Sequence, residues 1–100
     1  LNYVVLFKDD EEYATKRSEF MAAHLDFLDS HSEQISDAGP LKHRENNEPA
    51  GGVWLVSAET EEDVLTLVKQ DPFWPTGLRK DVEILEWNKV FSHGARVGNG

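Results

Sequence analysis

The stretch Gly51-Gly52-Val53-Trp54-Leu55-Val56-Ser57-Ala58, followed by Glu59-Thr60-Glu61-Glu62-Asp63, decides the fold. Val53 to Ala58 is the clearest strand of the chain, short, aromatic and β-branched, with turn residues ahead of it. Thr60 then caps a helix, and Glu61, Glu62 and Asp63 load its first turn with the charge that the helix dipole favours there. That helix runs to Gln70 and gives way to a loop, Asp71-Pro72-Phe73-Trp74-Pro75-Thr76-Gly77. Working outward, Asn2 to Phe7 reads as a strand, and the acidic run Asp9-Asp10-Glu11-Glu12 as a solvated loop. A long helical pattern spans Tyr13 to His31. Ile35 to Leu41 is a weaker strand, interrupted by Asp37-Ala38-Gly39-Pro40, and His43 to Gly52 is a polar connection. Val82 to Val90 is the last strand. The order β-α-β-β-α-β predicts an α+β, ferredoxin-like sandwich: a four-stranded antiparallel sheet with two helices on one face. The domain is expected over residues 1–91, with the Gly-rich segment 92–100 as a flexible C-terminal tail.

Along Tyr3-Val4-Val5-Leu6-Phe7 and Val53-Trp54-Leu55-Val56, apolar side chains alternate onto both faces of the sheet. Two helices cover only one face. The other needs a second layer, and a second copy of the chain is the simplest one, which predicts a sheet-on-sheet homodimer or higher homo-oligomer.

Composition narrows the function. The chain has 100 residues, 39% of them apolar, with 10 basic against 19 acidic side chains and a formal net charge of −9. A single domain of this size hides roughly 60–65% of the surface that its unfolded form exposes. Phosphate binding needs clustered Lys and Arg, which are scattered here, so no nucleic-acid partner is expected. The absence of cysteine excludes a disulfide scaffold, thiolate metal sites and thiol catalysis. No apolar run is long enough to cross a bilayer and no secretory leader opens the chain, so a cytoplasmic protein without a membrane partner is expected.

On a helical wheel of about 100° per residue, Phe20, Met21, Phe27 and Leu28 form an apolar arc, with Leu25 at its margin. Glu19, Asp26 and Asp29 fall opposite. His24 lands in the middle of the arc, where a core pattern would put Leu. A titratable group there needs a partner or a pocket. Its residues alone leave two readings open, a satisfied core histidine or a functional one. Arg17 and His31 lie on the same stripe near the helix ends, placed to snorkel or cap. On the second helix, Val64, Leu67 and Val68 form the apolar face, and Asp71 falls on the same side at the end the dipole reserves for cations. It is either a turn-forming Asp before Pro72 or the partner of His24, because both helices cover one sheet face. A carboxylate on one ring nitrogen fixes the tautomer and raises the basicity of the other.

Other chemistries find no support. His24 and His31 sit about 10.5 Å apart along a helix rising 1.5 Å per residue, too far to share an ion, so no metal site is expected. No strand–turn–helix elbow surrounds Ser18, Ser30 or Ser32. Gly51-Gly52 precedes a strand rather than a helix, so no nucleotide or flavin cofactor is indicated.

Tyr3-Val4-Val5-Leu6-Phe7, Arg17 with His24-Leu25, Ala38-Gly39-Pro40, Gln70-Asp71-Pro72-Phe73 and Lys89-Val90-Phe91 occur in an order and spacing that resemble the YCII-related family over residues 2–91. One departure stands out: His31-Ser32 occupies a shortened segment where the family often has a glycine. The resemblance implies a dimeric α/β-barrel of ferredoxin-like subunits and a His–Asp centre, whose matching positions are His24 and Asp71. Relatives include a dehydrochlorinase of a chlorinated hydroxyquinol. The expectation that follows is a small cofactor-free enzyme of lyase or isomerase type acting on a cyclic, oxygenated small molecule. His24 would move the proton, Asp71 orient the imidazole, Arg17 hold a substrate anion, and Phe73 and Trp74 supply a flat wall. The alternatives are a non-catalytic metabolite-binding dimer and a purely structural His24–Asp71 pair.

Overall fold

The central strand pair explains why this sequence folds as it does. In the computed structural model, which describes residues 1–98, β1 (Asn2–Asp9) and β3 (Pro49–Ser57) lie side by side. They run antiparallel, with Val5 opposite Trp54 and Tyr3 opposite Val56. β2 (Ile35–Lys42) flanks β3 and β4 (Arg79–Glu86) flanks β1, giving one antiparallel sheet of order β2-β3-β1-β4. The helices α1 (Thr15–Ser30) and α2 (Glu61–Gln70) complete the ferredoxin-like α+β fold. Tyr3, Val5, Phe7, Trp54 and Val56 point to the helix side and pack with Ile35 and with Val64, Leu67 and Val68 of α2. Thr60 caps α2 as expected, its Oγ1 accepting from the Asp63 N–H at 3.1 Å. Among the described residues, no helix is long and apolar enough to cross a membrane.

Several boundaries differ from the sequence reading, each for a physical reason. β3 begins at Pro49 rather than Val53, so Gly51-Gly52 belongs to a strand and not to the polar connection. Gly51 adopts φ +90, and a Cβ there would stand 1.8 Å from the Phe7 carbonyl oxygen, so only glycine lets β1 pass this closely. The helical pattern from Tyr13 is really two elements. A one-turn 3-10 helix, Glu11–Tyr13, is capped by Asp10, whose Oδ1 accepts from Glu12 N–H at 3.1 Å, and α1 then starts at Thr15. β4 covers Arg79–Glu86, earlier than the expected Val82–Val90, because pairing with β1 sets its ends. The expected tail carries a small hairpin, β5 (Phe91–Ser92) with β6 (Ala95–Arg96), turned by His93 and Gly94 at positive φ. The last two residues of that segment, 99–100, lie outside those described.

The helix α1 sits less deeply than its apolar arc suggests. Phe27 and Leu28 pack against the core, whereas Met21 and Leu25 are 39% and 51% exposed. Its one buried side chain is His24. Where α1 stands off the sheet, a cavity opens. On the opposite, helix-free face, Val4, Leu6, Val53 and Leu55 are half-buried, and Leu41 and Leu85 are exposed.

Candidate active site

Asp71 is the residue that ends α2. Its extended ψ of 130, the conformation favoured before Pro72, turns the chain back over its own carboxylate. Three bonds fix it there: its carbonyl accepts from Trp74 N–H at 2.8 Å, and its Oδ1 accepts from Phe73 N–H at 3.1 Å and from His24 Nδ1 at 2.8 Å. An ionised carboxylate only accepts, so Nδ1 carries the hydrogen and, in neutral imidazole, Nε2 keeps its lone pair. His24 is 7% and Asp71 1% exposed. The Phe73 ring stacks on the imidazole, with centroids 4.3 Å apart and planes inclined by 21°.

Two arginines complete the polar side. Asp9, the last residue of β1, is clamped between them. Arg79 Nη1 donates to its Oδ1 at 3.0 Å, and Arg17 Nη2 and Nε donate to its Oδ2 at 3.0 and 3.3 Å. Arg17 also forms a two-pronged pair with Glu11, at 2.7 and 3.3 Å. The hydrogen bond from Arg17 holds the Glu11 carboxyl below the usual range, and the same bond pushes the Arg17 guanidinium up. Arg79 lies over the Phe7 ring at 4.1 Å and faces Asp71 Oδ2 across 3.6 Å.

Between α1 and the sheet lies a cavity of about 170 Å³. His24, Arg17, Asp9 and Arg79 give its polar wall, and Phe7, Met21, Leu25, Leu28, Trp54 and Phe73 most of its apolar one. Ala38 to Pro40 and Gly51 to Val53 form the far side. Asp71 Oδ2 and Arg79 Nε are the sealed side-chain atoms without a partner among the described residues. His24 Nε2 makes no hydrogen bond among the described residues and is not sealed, and His24 forms part of the cavity wall. The arrangement is that of an imidazole paired through Nδ1 to a buried carboxylate, stacked on an aromatic ring at the edge of a small, largely apolar chamber.

The structure thus brings His24, Asp71 and Phe73 together. Arg17 reaches the cavity wall, but its donors are engaged by Asp9 and Glu11, which leaves it poorly placed to hold an anion. Trp74 packs against the core and is not part of the cavity wall; Trp54 occupies that place. Phe20 and Phe27 also stay out of the wall, and His31 caps its own helix through Nδ1, bonded to the Phe27 carbonyl at 2.9 Å. The acidic run is not wholly solvated, since the Asp9 side chain is only 4% exposed. Arg79 was not legible as a site residue. Counting back by alternation from Val82 puts it on the helix-free face, and only the register shift between Lys8 and Asp9 returns it to the cavity. Among the described residues, no group of three His, Cys, Asp or Glu side chains converges as metal ligands would.

The model of the YCII-related domain matches residues 1–88. Among solved structures, the chain is similar to 5-chloro-2-hydroxyhydroquinone dehydrochlorinase from Burkholderia phenoliruptrix AC1100, in complex with 2,5-dihydroxybenzoquinone. The two share 24% sequence identity and a TM-score of 0.75, covering 88% of this chain and 94% of that one. The likeness is one of fold. No curated protein matches.

Proposed function

The chain belongs to the YCII-related family, and from that premise we propose that it is an acid–base enzyme of lyase or isomerase type acting on a small, oxygenated ring. His24 Nε2 is the base that takes a proton from the substrate. In an isomerisation it returns that proton to another atom of the product. In an elimination the C–H electron pair forms the new double bond as the leaving group departs with its own pair, and the proton passes to solvent. Asp71 holds Nδ1–H and balances the imidazolium that forms. Phe73 keeps the imidazole plane and one wall of the chamber fixed. The observation that carries this reading is the 2.8 Å bond between His24 Nδ1 and Asp71 Oδ1, with His24 in the cavity wall and its Nε2 neither bonded among the described residues nor sealed. The dehydrochlorinase of similar fold, in complex with a dihydroxyquinone, supports a ring as the substrate class.

The cavity size agrees with one substituted six-membered ring and little more. Cofactor-free chemistry suits it, since a proton moved at a carbon or oxygen beside a ring carbonyl needs a base and a stabilising donor and nothing further. The test is a turnover screen of hydroxylated and halogenated quinols, quinones and lactones, followed by His24→Gln. Conversion by the wild type and none by His24→Gln is the expected result. Saturable binding with no conversion by either would instead favour a metabolite-binding protein that uses the same chamber.

A further inference from the structure

Arg79 is a buried cation with most of its donors unused. Guanidinium has five N–H donors, yet among the described residues its one hydrogen bond runs from Nη1 to Asp9, although the side chain is only 8% exposed. Nε is sealed without a partner among the described residues. Nη2 comes no nearer a carboxylate than 3.6 Å, beyond hydrogen-bond length. Nη2 is not sealed, and Arg79 forms part of the cavity wall, which makes this nitrogen the donor free to meet a ligand there. The guanidinium is held in place by the Phe7 ring at 4.1 Å and the Phe73 ring at 5.1 Å. Phe73 is also the ring on which His24 stacks. Arg17, by contrast, makes four hydrogen bonds to Asp9 and Glu11. Buried donors left unpaired are costly, so beside a cavity they are completed by water or by a ligand that displaces it.

We propose that Arg79 Nη2 binds a single oxygen of the substrate, an ionised ring hydroxyl, while His24 Nε2 meets the proton to be moved. This deepens the function proposed above and rests on the cavity being the substrate site. The restriction to one oxygen follows from the donor geometry. A carboxylate takes two parallel N–H donors on one edge of the guanidinium. Of the two edges that include Nη2, one ends in an Nη1 already held by Asp9, whose own negative charge stands beside that edge, and the other ends in the sealed Nε. The Asp9 and Asp71 carboxylates on either side also disfavour a second charged oxygen. A phenolate or enolate oxygen on a flat ring fits; a carboxylate or phosphate does not.

The test is equilibrium binding of three probes to the full chain: 2,5-dihydroxybenzoquinone, its dimethyl ether and benzoate. The wild type is expected to bind the ionised dihydroxyquinone at least about tenfold more tightly than either other probe. Arg79→Met should remove that preference, weakening the dihydroxyquinone by about tenfold and the ether by less than about twofold. Should Arg79→Met fail to fold, Arg79→Lys decides: its single ammonium, held by Asp9, is expected to lose most of the preference. A preference that survives substitution of Arg79, or benzoate binding as tightly as the dihydroxyquinone, overturns the proposal. So does a wild type that binds none of the probes, but that result leaves His24 as an acid–base group untouched. Conversely, an intact Arg79-dependent preference with turnover unaffected by His24→Gln would remove the acid–base reading and leave this one standing.

Discussion

Phe73 holds His24 twice over: its ring stacks on the imidazole at 4.3 Å, and its backbone N–H donates to the same Asp71 oxygen that accepts from Nδ1. The imidazole, the carboxylate that holds it and the chamber wall are therefore one unit, set by the loop that follows α2. A change in any member should register in the other two.

His24→Ala and His24→Gln separate the structural role of this unit from the catalytic role proposed for it. His24→Ala leaves a cavity and an unpaired buried carboxylate and should cost roughly 2–4 kcal/mol. Gln keeps an N–H donor for Asp71 and should cost less, while still lacking a base. Denaturant unfolding reads the stability difference, and turnover should be absent from both. Full activity in His24→Gln would end the catalytic assignment.

Phe73→Ala removes a side chain that is 3% exposed and should destabilise by about 3–5 kcal/mol. Phe73→Leu fills much of the volume without a flat face. It should fold at a cost of about 1 kcal/mol yet bind ring-shaped ligands more weakly than the wild type. Thermal unfolding together with a ligand titration distinguishes the two effects.

The Glu11–Arg17 pair gives the fold an acid-sensitive contribution. Arg17 holds the Glu11 carboxyl below its ordinary value of 4.5, so the stabilisation is fully present above that value. It is lost as pH falls through the lowered one. Glu11→Gln should therefore be slightly less stable than the wild type at neutral pH and equal to it in strong acid. The difference is small and shrinks with salt, because the Glu11 side chain is 54% exposed. Denaturant unfolding across the acid range checks the convergence.

The helix-free face predicts its own partner. Val4 pairs across the sheet with Leu55 and Leu6 with Val53, so four apolar side chains form a continuous patch with Leu85 beside Val4. A second copy seated on that patch should give a sedimenting species of twice 11.3 kDa at micromolar concentration. Leu55→Asp should return the protein to the single-chain mass. A wild type that sediments as a single chain would show that this face stays exposed.

Much of this was legible in the chain because it depends on local periodicity. The strand-helix order follows from apolar runs and from the Thr60 cap. The meeting of His24 and Asp71 follows from two stripes that must share one sheet face. Gly51-Gly52 shows where such reading stops. As residues they signal a turn, and only the approach of β1, with the Phe7 carbonyl against the Gly51 backbone, makes them part of β3. Arg79 and Arg17 show the same limit in the site. Sequence put Arg17 on the functional stripe and had no reason to single out Arg79. Tertiary structure distinguishes them, since Asp9 and Glu11 take four hydrogen bonds from Arg17 and a register shift at Lys8 and Asp9 turns Arg79 into the cavity. Which face a side chain takes beyond a shift, and which charges are already neutralised, depend on strands paired across some 70 residues of chain, from Asp9 to Arg79. Periodicity carries no information at that range.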